Sequence, residues 1–279
     1  MNPRSIADAL IAAERERKAI APFTDADPGL DAETGYRAQR MVVQHRLDHG
    51  ERVIGAKLGL TSRAKQEAMG VYEPLYGWLT SGMVHPYGEP LPLAELIHPR
   101  VEPEIAFLIG RELRAPAAIT SVLAATEAVL AAVEILDSRY EDFRFRLPDV
   151  IADNACGSRI VLGPRARVPG DLCDLRLLGC VLRARGDVAA TAAGGAVMGH
   201  PAAAVAWLVN RLSPEDWPLG PGTLVLSGGL TAPGMGHRSS RRSRCACTVT
   251  PSMTRPITCR TRSASCGPNA TPSRSAPAA

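Results

Sequence analysis

The chain has 279 residues, of which 46% are hydrophobic and 4% aromatic, and its formal net charge is +4. This length suffices for one large domain, or for a core domain with a small appendage. No apolar run reaches the ~18 residues of a membrane span. The start, "MNPRSIADALIAAERERKAI", interleaves charges at helical spacing and is unlike a secretion signal. We therefore expect a cytoplasmic protein with no membrane partner.

The positive charge comes from one end of the chain. Residues 234–279 hold eight arginines and no acidic residue, so the first 233 residues are net acidic. The arginines raise the alternative of a nucleic-acid-binding protein. The body shows no basic, aromatic-studded face, and we expect no nucleic-acid partner. A metal-free structural subunit of a larger complex is the other non-enzymatic alternative.

The seven cysteines divide in the same way. Neither the body set nor the C-terminal set has the spacing of a common zinc site. In a cytosolic chain we expect the body cysteines to be reduced packing residues. The body set is Cys156, Cys173 and Cys180, and the C-terminal set is Cys245, Cys247, Cys259 and Cys266.

Hydrophobic spacing predicts a helical N-terminal segment, residues 1–50. One amphipathic helix covers residues 4–20, and a second is capped by Asp31 and stopped by Gly50. After residue 50 short strands dominate, beginning with "RVIGAKLGLTS", and a short helix ends at Gly70. This change of pattern marks the start of a second unit, residues 51–233.

Within that unit strands and helices alternate. We predict a strand at "EIAFLIGREL", a helix at "TSVLAATEAVLAAV", a strand at "AAVEILDSRY" and a loop then a strand at "DVIADNACGSRIVLG". A hairpin turning at residues 185–187, a helix started by Pro201, and a strand with a Gly-rich turn at "GTLVLSGGLTAP" follow. This order indicates an α+β fold around a mixed, curled β-sheet.

Three carboxylates interrupt the apolar strands. Glu102 and Glu104 are two residues apart, so on a strand they share a face, and Glu134 lies in the apolar run "AVLAAVEILD". Like charges on one face raise each other's pKa unless a cation lies between them. With no clustered His or Cys and no paired lysine evident, a hard cation such as Mg²⁺ or Mn²⁺ fits best. The alternative is structural salt bridges with Arg100, Arg139 or Arg144.

Three further positions are candidates for ligand chemistry. Lys57, inside "IGAKLGLTS", is either partly desolvated with a lowered pKa suited to proton transfer, or a snorkelling surface lysine. Asp153 and Asn154, in "IADNACGSR", either hydrogen-bond a ligand or shape a turn.

Six stretches occur in a characteristic order: "KLGLTSRAKQEAMGV", "HPRVEPEIAF", "VEILDSRYEDFRF", "VIADNACGSR", "VMGHPAAAVAWLVNRL" and "GTLVLSGGLTAP". Together they resemble the 2-keto-4-pentenoate hydratase / 4-oxalocrotonate decarboxylase family of the fumarylacetoacetate hydrolase-like superfamily, over about residues 5–233. The resemblance implies that Glu102, Glu104 and Glu134 hold Mg²⁺ or Mn²⁺ and that Lys57 is the active-site lysine.

The resemblance also implies a substrate and partners. The substrate would be a small 2-oxo acid, bound beside Leu75, Asp153, Asn154 and Ser158. The protein would be a homo-oligomer, and it would form a complex with a homologous hydratase.

Leu75 favours one branch of that family. Hydratases usually carry Asp in a "P-D-F-G" turn, whereas this chain has Leu75 in "EPLYG" and reads "SRYEDFRF" where hydratases tend to have "SRI-DW". An apolar wall desolvates the leaving carboxylate and favours its loss as CO₂. The sequence therefore favours a decarboxylase acting on 2-oxohex-3-enedioate in meta-cleavage degradation of aromatic compounds. The alternatives are a 2-keto-4-pentenoate hydratase and an inactive truncated homologue.

The residues after Pro233 depart from the family pattern. Two more short strands are expected there, but the chain reads "GMGHRSSRRSRCACTVTP". Arg, Ser, Pro, Ala, Thr and Cys are what a GC-rich gene yields out of frame, so we hypothesise a frameshift near codon 234. Residues 234–279 would then form a disordered basic tail, since they have too few apolar side chains to offset their ordering entropy. A natural basic extension is the alternative.

Overall fold

The computed structural model describes residues 1–172, 174–184 and 187–232, and the backbone of 234–235. The predictions for Cys173, for the turn at residues 185–186 and for the tail from residue 236 onward lie outside these residues. Among the helices of the described ranges, none combines the length and the hydropathy that crossing a bilayer requires.

The described chain folds into seven α-helices and nine β-strands, joined by short 3₁₀ turns. The helices are α1 (Pro3–Glu16), α2 (Phe23–Ala26), α3 (Ala32–Asp48), α4 (Arg63–Met69), α5 (Ile119–Ala125), α6 (Leu147–Ala152) and α7 (Pro201–Arg211). The strands are β1 (Val53–Gly59), β2 (Leu75–Thr80), β3 (Arg100–Ile109), β4 (Thr126–Leu136), β5 (Gly157–Leu162), β6 (Gly179–Ala184), β7 (Asp187–Ala193), β8 (Leu224–Leu226) and β9 (Gly234–Met235).

One mixed sheet organises the body. Its strand order is β2-β1-β8-β3-β4-β5, and β9 pairs with the start of β3. Only β1 and β8 run parallel among these described pairs, and the others are antiparallel. Strands β6 and β7 form a separate hairpin. The predicted α+β fold with a mixed, curled sheet is confirmed.

The two faces of the sheet have different roles. Leu58, Phe107 and Val225 point to the face covered by α5 and α7, where the largest buried cluster lies. Because successive strand residues point to opposite faces, Lys57 and the even-numbered residues of β3 project to the other face. The functional candidates therefore lie on the face away from the main helical layer.

The N-terminal helices brace the free edge of the sheet. Asp31 caps α3 by accepting the Thr34 N–H at 2.8 Å, as predicted. From α3, the buried Gln39 carboxamide donates to the carbonyl oxygens of Tyr76 and Ile151, both at 2.9 Å. The helical segment is therefore tied to strand β2 and to α6.

Two predicted elements differ from the structure. The helix predicted over "TSVLAATEAVLAAV" ends at Ala125, and Thr126 begins strand β4 with its hydroxyl bonded to the Val122 carbonyl at 2.7 Å. The predicted loop beginning at Asp149 is instead part of α6. The Asp149 carboxylate accepts the Arg146 N–H at 3.0 Å and caps this helix.

Candidate metal centre

Three buried glutamates converge on the face of the sheet that lies opposite the main helical layer. Glu102 and Glu134 are direct partners in the β3–β4 ladder, and Glu104 follows two residues later on the same face. One oxygen from each carboxylate lies within 4.8 Å of the others. The side-by-side placement that the spacing predicted for Glu102 and Glu104 is present, and Glu134 joins them through strand register.

The donor set of this cluster fits a divalent cation. Glu104 Oε2 accepts the Gly228 N–H at 2.8 Å, but Glu104 Oε1 and Glu134 Oε1 receive no hydrogen bond from the described residues. Buried carboxylate oxygens without a donor are costly unless a cation satisfies them. Three carboxylates match the oxygen preference of Mg²⁺ and Mn²⁺ and leave positions for water and substrate.

Electrostatics point the same way. Burial, with the nearby Glu134 carboxylate, holds the pKa of Glu104 well above its ordinary value. Burial likewise raises the pKa of Glu134, although the Lys57 ammonium opposes it. Ionising both carboxyl groups is therefore unfavourable unless a positive charge lies beside them.

Two lysines already lie against the cluster. Lys57 Nζ is 3.0 Å from Glu134 Oε2, and Lys65 Nζ is 2.8 Å from Glu102 Oε1 and 3.3 Å from the Gly229 carbonyl oxygen. The expectation that no lysine pairs with these glutamates was wrong. The pairs join elements distant in sequence, and no local pattern reports them.

The arginines named as alternative partners lie elsewhere. Arg139 binds Asp153, Arg144 binds Asp25, and the Arg100 guanidinium lies 3.8 Å from the centroid of the Phe143 ring. The salt-bridge alternative for the glutamates is therefore wrong for these three arginines.

Lys57 is buried rather than snorkelling, with 2% of its surface exposed. Burial alone would lower its pKa, but the carboxylates of Glu134 and Glu104 outweigh burial and raise the pKa above its ordinary value. The predicted lowering of the Lys57 pKa is therefore wrong. Lys57 also donates to the Ala155 carbonyl oxygen at 2.8 Å.

Leu75 lies on the same face of the sheet as Lys57. The β1–β2 ladder pairs Gly59 with Leu75 and Lys57 with Gly77. Leu75 is therefore the diagonal cross-strand neighbour of Lys57. Its side chain is 2% exposed and belongs to an apolar cluster with Leu136, Ile151 and Cys156. Its contact with a substrate stays a prediction.

The other predicted substrate contacts have protein partners. The Asp153 carboxylate binds the Arg139 guanidinium, and the Asn154 carboxamide bonds the main chain of Trp78. The Ser158 hydroxyl accepts from Arg159 Nη1 at 3.3 Å. Burial raises the pKa of Asp153 to about 6 against the opposing charge of Arg139. A direct role in substrate binding stays a prediction for all three.

The Gly-rich turn after β8 closes over the glutamates. A Cβ on Gly229 would lie 2.0 Å from Glu102 Oε2, so a side chain there would displace the Glu102 carboxylate. Gly228 has φ +106°, and a Cβ there would lie 2.0 Å from Thr61 Oγ1. The sequence pattern marked the turn but not its position against the carboxylates.

The predicted packing role of two cysteines is borne out. Cys156 and Cys180 are buried free thiols, and burial raises the pKa of both. They take no part in the carboxylate cluster.

Comparison with known proteins places this arrangement in a family, although no family model matches the chain. A 2-hydroxypent-2,4-dienoate hydratase of Pseudomonas putida is 40% identical over 209 residues, covering 74% of this chain and 94% of that protein. A 4-oxalocrotonate decarboxylase of Pseudomonas sp. (strain CF600) is 39% identical over 229 residues, covering 82% and 86% of the two chains.

Solved structures agree with these relatives. The 4-oxalocrotonate decarboxylase of Pseudomonas putida G7, complexed with magnesium and adipate, superposes with a TM-score of 0.81 at 35% identity and covers 84% of this chain and 89% of its own. Fumarylpyruvate hydrolase from Pseudomonas aeruginosa shares the fold alone, with a TM-score of 0.53 at 17% identity over 66% of this chain and 80% of its own. The chain belongs to the 2-keto-4-pentenoate hydratase / 4-oxalocrotonate decarboxylase family.

Proposed function

We propose that this protein is a metal-dependent lyase that decarboxylates 2-oxohex-3-enedioate to 2-hydroxypenta-2,4-dienoate. The observation that carries the proposal is the buried Glu102, Glu104 and Glu134 cluster, with its unpartnered carboxylate oxygens, beside the buried Lys57. The magnesium-bound relative holds adipate, which is a six-carbon dicarboxylate like the proposed substrate.

The three glutamates would hold Mg²⁺ or Mn²⁺. Such an ion, when bound, withdraws electron density from the carboxylate and keto oxygens of a 2-oxo acid. Glu134 has a second task, because it also fixes the Lys57 ammonium at 3.0 Å. The ligand set and the lysine are therefore one connected unit.

Lys57 keeps donor capacity for the substrate. Its ammonium carries three N–H donors; it donates to the Ala155 carbonyl oxygen and forms an ion pair with Glu134 Oε2, which leaves at least one N–H for a bound oxygen. When the bond to the distal carboxylate breaks, CO₂ leaves and the electron pair moves along the conjugated chain to the 2-oxo oxygen. Lys57 stabilises that developing oxyanion by hydrogen bonding and supplies its proton.

Leu75 supports decarboxylation over hydration. The apolar side chain on the Lys57 face would exclude water from the distal carboxylate and favour its loss as a neutral molecule. A hydratase would need a group at this position that handles a proton, and leucine has none. Hydratase activity stays the second candidate, because a hydratase relative matches at 40% identity over 94% of its own length.

An ultraviolet assay tests the proposal. The purified protein is given 2-oxohex-3-enedioate or 2-hydroxypenta-2,4-dienoate, each with and without Mg²⁺, and released CO₂ is trapped. We expect Mg²⁺-dependent CO₂ release from the first compound. Hydration of the second compound without CO₂ release from the first would establish the hydratase alternative, and no turnover of either would favour the inactive homologue.

Assembly and location are further proposals. We propose that the protein works in the cytoplasm as a homo-oligomer, and that it forms a complex with a homologous hydratase that consumes its product. Light scattering of the purified protein, alone and mixed with that hydratase, measures both associations.

A further inference from the structure

The turn that joins α6 to β5 has an uncommon main-chain conformation. Asn154, Ala155 and Cys156 have φ values of 47°, 54° and 57°, so three consecutive residues with side chains adopt the left-handed region. This region is unfavourable for residues with a Cβ, and asparagine tolerates it better than most. Such a conformation persists only where its surroundings hold it, and it is enriched at functional sites.

The middle residue of this turn contacts the active-site lysine. The Ala155 carbonyl oxygen accepts from Lys57 Nζ at 2.8 Å, and Glu134 Oε2 lies 3.0 Å from the same nitrogen. Of these two groups, the carboxylate is also a candidate metal ligand. The Ala155 carbonyl is therefore the contact that holds Lys57 without also belonging to the metal cluster.

Asn154 fastens the turn to strand β2. Its Oδ1 accepts the Trp78 N–H at 2.8 Å, and its Nδ2 donates to the Trp78 carbonyl at 2.9 Å. Strand β2 is the end strand of the sheet, so these main-chain groups face away from β1 and need a partner. The Asn154 side chain thus bonds both main-chain groups of Trp78 that point away from β1, and Trp78 is the residue after Gly77.

Gly77 makes the close approach feasible. It is the ladder partner of Lys57, and a Cβ at this position would lie 2.7 Å from the Asn154 carbonyl oxygen and 2.9 Å from Asn154 Oδ1. Across the turn itself, the Cys156 N–H donates to the Asp153 carbonyl oxygen at 2.9 Å. The Asp153 side chain is in turn bound to Arg139. The turn is therefore held on both sides.

We infer that Asn154 is a positioning residue, which acts through the left-handed turn and the Ala155 carbonyl to orient the Lys57 ammonium towards the substrate. This role differs from the direct substrate contact that the sequence predicted. It rests on the proposed function for its kinetic consequence, but its structural consequence is independent of the reaction.

A double-mutant cycle tests the coupling. Asn154→Ala should lower kcat for 2-oxohex-3-enedioate about 10- to 100-fold, as misplacement of a reacting group by about 1 Å does, and change KM less than about 3-fold. In the Lys57→Met background the same change should lower the remaining kcat less than about 3-fold, because residues that act as a unit are not additive. Equal factors in both backgrounds would overturn the inference.

A matched control separates positioning from stability. Gln39→Ala also removes a buried carboxamide that bonds two main-chain carbonyls, but those belong to Tyr76 and Ile151. It should lower the melting temperature comparably and leave kcat within about 3-fold of the parent protein, because neither of its hydrogen bonds is made to the turn. A kcat loss in Gln39→Ala equal to that of Asn154→Ala would show that general destabilisation explains both.

Binding measurements replace kinetics where turnover is too slow. The affinity for Mn²⁺ alone, measured by electron paramagnetic resonance, should stay within about 3-fold in Asn154→Ala, because the glutamates lie on β3 and β4. With Mn²⁺ saturating, the dissociation constant of the unreactive analogue 2-oxoadipate should rise by no more than about 3-fold in Asn154→Ala, in line with KM, and not further in the double variant with Lys57→Met. An independent rise in both backgrounds would contradict the inference.

A crystal structure of Asn154→Ala gives a readout that does not depend on the reaction. We expect Lys57 Nζ to leave the Ala155 carbonyl oxygen, and a retained distance near 2.8 Å would overturn the inference even if kcat fell. If Asn154→Ala does not fold, Asn154→Asp keeps the acceptor for the Trp78 N–H and replaces the donor to the Trp78 carbonyl with a carboxylate oxygen. If the parent protein turns over neither substrate, the proposed function fails, and this distance still decides the positioning role.

Discussion

The two sides of the candidate site are built in different ways. On one side, Glu102, Glu104 and Glu134 lie on two long, regularly paired strands, so ladder register sets their positions. On the other side, Lys57 and Lys65 come from β1 and the short helix α4, and ion pairs and one turn hold them. Changes to the three glutamates should therefore remove metal binding, whereas changes to the two lysines should alter the reaction rate or the metal affinity.

The largest effect is expected on the strand side. Glu134→Gln removes one candidate metal ligand, so we expect metal-dependent turnover to be abolished. It also leaves the buried Lys57 ammonium without its carboxylate partner, so we expect a lower melting temperature with the fold retained. Mn²⁺ titration and a thermal melt measure the two consequences. Glu127→Gln, an exposed position on the same strand, is the matched control and should retain activity. Full activity of Glu134→Gln would sink the ligand assignment.

A smaller effect is expected from Leu75, which lies on the same face of the sheet as Lys57. Leu75→Asp should slow decarboxylation roughly tenfold or more, because it replaces the apolar side chain that would exclude water from the distal carboxylate. A tenfold loss corresponds to ~1.4 kcal/mol added to the barrier. Mn²⁺ affinity should change less, since the glutamates are on other strands. Leu75→Met preserves volume and apolarity and should retain most of the rate. Equal losses in Leu75→Met and Leu75→Asp would show that only packing matters there.

The raised pKa values of Glu104 and Glu134 make stability depend on pH. Without added metal the folded state holds protons that the unfolded chain has already lost, so stability should fall as pH rises above the ordinary value of 4.5. Urea unfolding at several pH values measures the slope, and Glu104→Gln should reduce it. Saturating Mn²⁺ should offset the loss, because it binds the deprotonated carboxylates. A slope unchanged by both Glu104→Gln and Mn²⁺ would refute this origin.

The smallest effect is expected at Lys65, on the lysine side. Its ammonium competes with a divalent cation for Glu102, so Lys65→Met should tighten Mn²⁺ binding by about 2- to 5-fold, as expected for a partly exposed ion pair. Arg63→Met, on the same helix with its side chain 91% exposed, should leave the affinity unchanged. Weaker Mn²⁺ binding in Lys65→Met would mean that Lys65 supports the site rather than competing for it.

Sequence patterns revealed the parts of this site that depend on local geometry. The period of two in a strand is enough to put Glu102 and Glu104 on one face, and a cap residue is enough to start α3 at Asp31. The pairing of Glu134 with Glu102 was harder to predict from sequence, because the alanine-rich run before Glu134 is compatible with a helix as well as with a strand. Helix and strand are decided there by burial between β3 and β5, which a short window does not report.

Other parts depend on contacts between distant residues. Lys57 meets Glu134 and Lys65 meets Glu102 only once the sheet has formed, so no spacing rule predicts either pair. The left-handed turn has no glycine at residues 154–156, and Asn154 was its sole local sign. For α6, Pro148 in the first turn was a usable start signal that the strand-like neighbours obscured.

The hydrogen bond from Gly228 to Glu104 spans 124 residues of chain. During synthesis the carboxylates on β3 therefore emerge long before the glycine turn that closes over them, and β8 must insert between β1 and β3 before that turn can form. Non-local closures of this kind slow folding, because the entropy of a long loop is lost before its contacts form. The ability to bind a metal should thus be among the last properties that the nascent protein acquires. A chain released before Gly228 would leave β3, with Glu102 and Glu104, at an unpaired edge of the sheet.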